Sequence, residues 1–454
     1  MIPVEKNKEY EIKIVNVSDD GNGVGRIDGY TVFIPAAVTG DTVRTLIVKV
    51  KTHYAYGKAL EIIKPSPYRV KPVCKHSVKC GGCSFMHISY DYQLKLKKDF
   101  ICECIKRIAG IDDFEFDEII GTENPLYYRN KMIFPIEQSD NKAIFGFYAK
   151  KSHRVIELDT CFIGNELCSR ITACITEFMT KNNIPAYNEE THSGLVRRVF
   201  LRTSHSTGEI MTVIVINGKV FPKHEQLVTI LTEKFPSISS VMLNINTEKT
   251  NLVLGAKNKT IFGKDYITDT ICGNAFKISP HSFLQINPVQ TGKLYNKCLE
   301  YANIAENETV MDVYCGAGTI SLAAAKNAKS VIGIEIVEEA IKNAKENALA
   351  NNISNAEFYA GSADKLVPYI LKSGVTPDVV ILDPPRKGSD EITLSAIVKA
   401  SPKRISYVSC NPSTLARDIK FLTENGYKLE KVSGVDMFPH TTHVESVALL
   451  TLSD

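Results

Sequence analysis

From about residue 308 onward the chain alternates strand-like and helix-like segments with short connections. ETVMDVY precedes GTISLAAAKNA, SVIGIEI precedes VEEAIKNAKENALANN, and AEFYAG precedes DKLVPYILKSG. PDVVILD then leads into SDEITLSAIVKAS, and KRISYVS into NPSTLARDIKFLTENG. Such alternation constrains the chain to a doubly wound parallel sheet. Two closing strand-like runs, YKLEKVSGVDMF and HVESVALLTL, have no helix between them. They predict a terminal antiparallel pair.

The 454 residues suggest about three domains at roughly 150 residues each. Residues 1–65 carry short strand-like runs, EYEIKIVNV, TVFIPAAV and DTVRTLIVKVKTHYAYGKALEII, with SDDGNGVGRIDG read as turn chemistry. That pattern predicts a small β-barrel. Residues 66–270 begin with a Pro-rich linker, KPSPYRVKPVC. A helix, SYDYQLKLKKDFICECIKRIAG, follows and is capped by Gly110; mixed strands then make an α+β region. Residues 271–454 form the doubly wound domain. Hydrophobic residues at 44% and charged residues at 23% exclude a largely disordered chain. No apolar run approaches the ~20 residues of a membrane-spanning helix. The opening MIPVEKNKEY lacks the apolar core of a signal peptide, so the expected compartment is the cytoplasm, with no membrane association.

The net charge of +3 says little, but its distribution says more. Between Thr42 and Gly81 stand Arg44, Lys49, Lys51, Lys58, Lys64, Arg69, Lys71, Lys75 and Lys79 against Glu61 alone, interleaved with Tyr54, Tyr56 and Tyr68. This suits a polyanion, although a solvated basic face has the same composition.

The first strand of the doubly wound domain leads into Asp312-Val313-Tyr314-Cys315-Gly316-Ala317-Gly318-Thr319. Gly316 and Gly318 allow a tight turn and close approach of a ligand. The next strand ends in Glu335, nineteen residues after Gly316, where a carboxylate meets ribose hydroxyls. No G-x-G-x-x-G follows, which disfavours a dinucleotide. A nucleoside cofactor without a pyrophosphate, such as S-adenosylmethionine, fits better.

The fourth strand ends in Asp383-Pro384-Pro385-Arg386 and the fifth in Ser409-Cys410-Asn411-Pro412. Both lie at carboxyl ends, the catalytic edge of such a sheet. Cys410 stands at a helix N-terminus, which favours a thiolate. Position alone also fits a buried structural cysteine. Glu445 opens the last strand. A thiol and two carboxyls beside a methyl donor match methylation of a pyrimidine. The thiolate adds to carbon 6, carbon 5 becomes nucleophilic, and a base then removes the carbon 5 proton.

Twelve cysteines are many for a reducing compartment, so clustered ones point to metal or catalysis. Cys74, Cys80 and Cys83 lie close together and need a fourth ligand, with Cys102, Cys104, Cys161, Cys168 and Cys174 as candidates. Spacing alone allows zinc or a [4Fe-4S] cluster.

DVYCGAGTISL, LDPPRKG, YVSCNPSTLARD and HVESVALL together resemble the RNA (uracil-5-)-methyltransferase family, and SPHSFLQINPVQ resembles the family segment before its catalytic domain. Gly21, Gly23, Gly25, Arg26, Phe33, Ile34, Pro35, Gly40 and Asp41 resemble the TRAM domain, an RNA-binding barrel of the oligonucleotide-binding type. The resemblance covers the whole chain. It implies a Rossmann-like class I methyltransferase fold at the C-terminus, with Cys410 as nucleophile and Glu445 as base. Asp383 would orient the uracil and touch the cofactor, and Gln285, Tyr314 and Glu335 would contact the cofactor. It further implies a [4Fe-4S] cluster on Cys74, Cys80, Cys83 and Cys161. The substrate leans to 23S rRNA, with tRNA as the alternative and no obligate protein partner. Tyr127, Tyr128, Arg129 and Lys131 are candidate RNA contacts, though a half-buried strand explains them too. A 5-methylcytosine RNA methyltransferase shares the covalent logic. A radical methylthiotransferase would need a C-x3-C-x2-C motif that is absent. A non-catalytic iron-sulfur RNA-binding protein would leave Cys410, Asp383 and Glu445 without a purpose.

Overall fold

A computed structural model describes residues 2–150 and 152–453. Five strands, β1 (Glu9–Val17), β2 (Asn22–Ile27), β3 (Tyr30–Pro35), β4 (Thr42–Val50) and β5 (Tyr54–Lys64), close into a barrel in the order β1-β2-β3-β5-β4. Alternate residues Ile12, Ile14, Val32, Ile34, Val43 and Ile47 fill its interior. The glycine-rich stretch is not all turn, because β2 runs through it. A Cβ on Gly25 would lie 2.2 Å from Ile12 Cγ2, and one on Gly23 would lie 2.6 Å from Ala37 Cβ. These glycines therefore admit a close-packed strand. Positive φ falls outside β2, at Gly21 before it and at Asp28 and Gly29 after it. The long basic run splits into antiparallel β4 and β5.

Asp41 is fully buried beside the barrel. It accepts hydrogen bonds from the Val38 and Ser66 amides at 2.7 and 2.8 Å and from Arg69 Nη2 at 2.5 Å. Burial acts to raise its pKa. The Arg69 hydrogen bond and the two amides outweigh it and hold the carboxyl below its usual range. Arg44 bridges Glu9 and Glu61 at the surface, each at 3.0 Å. Two of the nine basic residues counted in this stretch are thus engaged by carboxylates of the same chain, not held ready for a polyanion.

Helix α1 (Tyr90–Cys104) ends in a single π turn and in Gly110 with φ 72°. Strand β6 (Glu115–Ile120) follows. A seven-stranded sheet comprises β7 (Lys131–Ser139), β8 (Lys142–Tyr148), β9 (Val155–Glu157), β10 (Val196–Thr203), β11 (Ile210–Ile216), β12 (Ile238–Ile245) and β13 (Lys257–Gly263). Its order is β13-β12-β11-β10-β7-β8-β9. Helices α2 (Glu166–Lys181) and α3 (His224–Lys234) belong to the same region, as does the hairpin β14 (Ile267–Ile271) and β15 (Asn274–Ile278). Helix α4 (Pro288–Ala302) starts where the Asn287 side chain caps the Gln290 amide and Pro288 takes the first turn.

The C-terminal region is the doubly wound sheet the alternation predicts. In chain order it runs β16 (Thr309–Val313), α5 (Thr319–Ala324), β17 (Ser330–Glu335), α6 (Glu338–Ala350), β18 (Ala356–Ala360), α7 (Ala363–Lys372), β19 (Val379–Leu382), α8 (Glu391–Ala400), β20 (Arg404–Ser409), α9 (Pro412–Glu424), β21 (Tyr427–Val435) and β22 (Glu445–Leu452). The sheet order is β18-β17-β16-β19-β20-β22-β21-β6. Strands β16 to β20 are mutually parallel, and β22 is antiparallel to both its neighbours. Distant β6 joins the edge parallel to β21. Among the described residues no helix is long and apolar enough to cross a membrane.

Backbone contacts divide the chain into two compact units. One comprises Met1–Phe100, Phe147–Ile156 and Phe438–His443; the other comprises Ile101–Gly146, Glu157–Met437 and Val444–Asp454.

Asp41→Asn is expected to lower stability by about 3 kcal/mol, because it removes one charge of a buried pair. Arg44→Gln, at an exposed ion pair, should leave the unfolding midpoint close to that of wild type. Denaturant unfolding followed by circular dichroism measures both.

Candidate active site

The strand order reverses between β16 and β19, and the loops leaving their carboxyl ends define a crevice. The loop after β16 begins with Tyr314, whose φ of 74° is costly for a non-glycine residue. The Tyr314 and Cys315 amides both donate to the Ile334 carbonyl of β17 at 2.9 Å. Gly316 and Gly318 follow with φ 56° and 81°. A Cβ on Gly316 would meet nothing within 4 Å, so the turn faces open space. A Cβ on Gly318 would press the Phe358 ring at 3.2 Å. Glu335 is half-buried at the end of β17. It accepts from the Gly316 amide at 3.3 Å and the Val337 amide at 2.9 Å. Beyond it Ile336 and Val337 are exposed. An open glycine turn, a carboxylate and adjoining apolar surface fit the glycine loop, ribose and base contacts of an adenosine cofactor. Glu335, Tyr314, Gly316 and Gly318 would hold it.

Asp383 follows β19, and its amide donates to the Val313 carbonyl of β16 at 3.4 Å. Cys410 follows β20. Ser409 of β20 pairs with Ser446 of β22. Carried one residue further, this antiparallel register sets Cys410 across from Glu445. The last strand runs backward, so its first residue emerges where β20 releases the thiol. Glu445 is only 2% exposed, buried rather than at the rim, while Cys410 is half-buried.

Burial dominates the electrostatics. It raises the Asp383 carboxyl to about 7, with help from the charge of Asp312. It raises Glu445 to about 8, with Asp383 adding to the rise and Arg386 opposing it. Asp312 reaches about 6 despite the hydroxyl of Ser321, which donates to it at 2.5 Å. Cys410 is pushed up to about 11 by burial and then by Glu445 and Asp383, with Arg386 again opposing. The helix N-terminus therefore does not deliver a resting thiolate, because two carboxyls and desolvation outweigh it.

Two side chains with no role in the sequence reading belong to this site. Arg386 is the cation felt by both Cys410 and Glu445. Its carbonyl accepts from Asn411 Nδ2 at 3.1 Å, tying its loop to the start of α9. Tyr295 of α4 is buried, and its phenol is raised by burial and then by Asp383. Arg386 lay inside a quoted motif. Tyr295 lay in a helix segment indistinguishable from core. The Tyr314 hydroxyl shares a 2.9 Å hydrogen bond with Ser389, and the Ser389 amide donates to buried Asp418 at 2.9 Å. Asp418 also takes the Tyr407 hydroxyl at 2.5 Å. This chain of bonds fixes the glycine loop against the Asp383 loop.

Gln285 is half-buried in the segment before α4, and its carbonyl accepts from Asn130 Nδ2 at 3.1 Å. Tyr128 is buried, Arg129 and Lys131 are half-buried, and Tyr127 is exposed.

In the loop before α1, Cys80 is buried and Cys74 and Cys83 are half-buried. The Gly82 amide donates to Cys80 Sγ at 3.4 Å. Cys161 is buried before α2, its amide donating to Ser169 Oγ at 3.1 Å. Among the described residues no group of three or more His, Cys, Asp or Glu side chains is gathered closely enough to hold a metal ion.

Comparison with known proteins bears on this site. The family described as tRNA (Uracil-5-)-methyltransferase matches residues 89–453, and the TRAM domain matches residues 3–60. A protein of Clostridium tetani named an uncharacterized RNA methyltransferase is 45% identical over 450 residues, covering 99% of this chain and 98% of its own. A protein of Oceanobacillus iheyensis with the same description is 45% identical over 451 residues, with the same coverage. Among solved structures, the Pyrococcus abyssi tRNA (uracil-54, C5)-methyltransferase in complex with S-adenosyl-L-homocysteine is 28% identical. It has a TM-score of 0.78 and covers 97% of this chain and 100% of its own.

Alkylation of Cys410 by iodoacetamide, followed by peptide mass spectrometry across pH, should show a thiol that titrates well above pH 9. Glu445→Gln removes a charge that raises it, so the alkylation rate at pH 9 should increase several-fold.

Proposed function

The chain belongs to the tRNA (uracil-5-)-methyltransferase family and carries an N-terminal TRAM domain, and on that premise we propose that Cys410, Glu445 and Asp383 convert uridine to 5-methyluridine in 23S rRNA. The observation that carries the reading is the antiparallel register that sets Cys410 opposite Glu445. RNA uracil-5 methylation with S-adenosylmethionine is the activity of the family. The residue roles and the ribosomal substrate are the proposal.

When bound, S-adenosylmethionine supplies a methyl carbon carried on a positively charged sulfur. Cys410 Sγ, half-open to solvent, gives up its proton to water and bonds to carbon 6 of the uracil. The electron pair of the 5,6 double bond moves onto the carbon 4 oxygen. Carbon 5 then takes the methyl carbon. Glu445 removes the remaining carbon 5 proton, the 5,6 double bond reforms, and Sγ leaves as a thiolate. A carboxyl raised to about 8 holds a proton far better than an ordinary one, which suits a base removing a carbon acid's proton. Asp383 beside it orients the uracil and keeps Glu445's pKa high. Arg386 favours the thiolate.

The ribosomal substrate rests on the TRAM barrel together with the Cys74, Cys80 and Cys83 spacing, features that the resemblance ties to 23S rRNA enzymes. The tRNA reading is supported by the 28% identical archaeal tRNA enzyme. The proposed [4Fe-4S] cluster on Cys74, Cys80, Cys83 and Cys161 rests on spacing and resemblance, and no step of the reaction uses it. The cytoplasm is the proposed compartment.

Labelled S-adenosylmethionine should transfer methyl to an unmodified 23S rRNA transcript, yielding 5-methyluridine by mass spectrometry, and Cys410→Ala should abolish transfer. Glu445→Gln should leave the protein covalently attached to methylated RNA, visible as a gel-shifted adduct. Methylation of tRNA alone would replace the substrate and keep the chemistry. Methylation of neither RNA would remove the reading.

Glu445 must be ionised to act as base, and its pKa is raised. Cys410 must also lose its proton, so single-turnover rates should rise most steeply below about 8, where both groups ionise, and more gently toward about 11, where the thiol alone does. A slope that does not change near pH 8 would dismiss Glu445 as the base. Anaerobically purified protein should contain iron and sulfide, lost in Cys83→Ser; a chain without iron would eliminate the cluster.

A further inference from the structure

Basic side chains gather where β7 and β10 lie side by side. Lys131 and Arg202 are register partners on these strands. Arg202 is 4% exposed; one Nη donates to the Ser282 carbonyl, and its buried Nε has no acceptor among the described residues. His281, next to Ser282, is exposed, and Lys131 is half-buried. Arg129 adds its charge from two residues earlier. Burial, then Arg202 and Arg129, bring the Lys131 ammonium down to about 8. Burial and Arg202 lower the His281 imidazole. No carboxylate counters any of these effects.

A second arginine on the same strand gives the contrast. Arg197 is also buried, but its guanidinium donates to the carbonyls of Asn246, Glu248 and Thr250 and to Asn246 Oδ1 at 2.8 to 3.0 Å. Arg197 is a satisfied structural arginine. Arg202, whose guanidinium lies 5.5 Å from the Phe200 ring centre, still keeps its buried Nε donor in reserve beside Lys131, an arrangement that costs stability unless an anion completes it.

These strands are tied to the segment that carries Gln285. The Asn130 amide donates to the Ile286 carbonyl, and Asn130 Nδ2 donates to the carbonyl of Gln285. The Asn130 carbonyl in turn accepts from the Thr203 amide next to Arg202.

We propose that Lys131, Arg202 and His281 form an oxyanion site that holds a backbone phosphodiester of the substrate RNA. This rests on the RNA-methylation reading above. The shared chemistry, an oxyanion, also describes the carboxylate of S-adenosylmethionine. The RNA phosphate is favoured because His281 is exposed and Lys131 is half-open to solvent, so a long polyanion can reach both. The site differs in kind from surface lysines. Its deepest donor is buried and preset, so it fixes the position of one phosphate rather than attracting RNA generally.

The test measures filter binding of unmodified 23S rRNA and tRNA transcripts at several salt concentrations, and S-adenosylmethionine affinity by calorimetry. The proteins are full-length wild type, Lys131→Gln, Lys131→Glu and Arg202→Lys, with folding checked by circular dichroism. For the RNA that wild type binds, Lys131→Gln should weaken affinity roughly 5- to 10-fold and reduce the salt slope by about one. Lys131→Glu should weaken it further, and Arg202→Lys should act in the same direction, with cofactor affinity unchanged throughout. Folded Lys131→Glu with wild-type affinity and salt slope overturns the proposal. So does a loss confined to S-adenosylmethionine, which assigns the site to the cofactor carboxylate. Failure of wild type to methylate either transcript, with Lys131-dependent binding intact, removes the reaction assignment and leaves the phosphate site standing.

Discussion

One reversed strand makes the site. In a wholly parallel sheet the crevice receives only residues that follow strands, each on its own loop. Strand β22 runs against β20, so its first residue arrives at the edge that β20 and β19 leave. Glu445 therefore needs no loop to reach Cys410; the ladder between Ser409 and Ser446 holds the two in register. A slip of one residue would invert every side chain of β22 and turn Glu445 to the other face. Both faces of β22 are buried, Val447 on the face of Glu445 and Leu450 on the other, so the ladders to β20 and β21 hold the register rather than a one-sided apolar pattern. The strand's pairing thus fixes the chemistry's geometry.

The same burial sets the energetics. Asp312, Asp383 and Glu445 stand in a dry region with Arg386 as the cation that Glu445 and Cys410 feel. Unoccupied carboxyls in such a place favour their neutral forms, which is why each is raised. A thiol among them is raised as well, so Cys410 rests protonated. A cation bound near carboxyls favours their ionised forms. In the proposed reaction the sulfonium of the methyl donor is such a cation. The arrangement holds Cys410 protonated in the free protein, and a neighbouring cation would act on the thiol directly, against the carboxyls that raise it.

The doubly wound domain was legible because each strand and helix carries its own signal and the connections are short. The terminal antiparallel pair followed from the missing helix between residues 435 and 445. Strand β6 was not legible, since it joins the edge beside β21 from more than three hundred residues earlier. Nor was β2, because Gly23 and Gly25 read as turn residues when their purpose is to let Ile12 and Ala37 approach. Cys410, Asp383 and Glu445 were legible as strand-end residues, but position alone left Cys410 open and did not single out Glu445; their roles came from the family resemblance. The pKa of Cys410 was not legible, because helix polarity is local in sequence while Glu445 and Asp383 reach the thiol only through the fold. Tyr295 was hidden for the same reason. The charge count near the barrel overstated its free positive surface, since the Asp41 and Arg69 pair is structural.

Charge in this protein is sorted by burial more than by number. The overall excess of three positive charges cannot by itself select a substrate. The doubly wound sheet collects desolvated carboxyls, which suit a positively charged methyl donor. The strands around Lys131 and Arg202 collect desolvated cations, which suit a polyanion. Each cluster of like, desolvated groups is unfavourable by itself and would be relieved by a neighbouring opposite charge. The segment carrying Gln285 is hydrogen-bonded to Asn130, the neighbour of Lys131. Solvent screens the two sets unequally: Glu445 and Arg202 are buried, Lys131 is half-buried and His281 is exposed, so any preference for one sign of charge is strongest at the two buried groups.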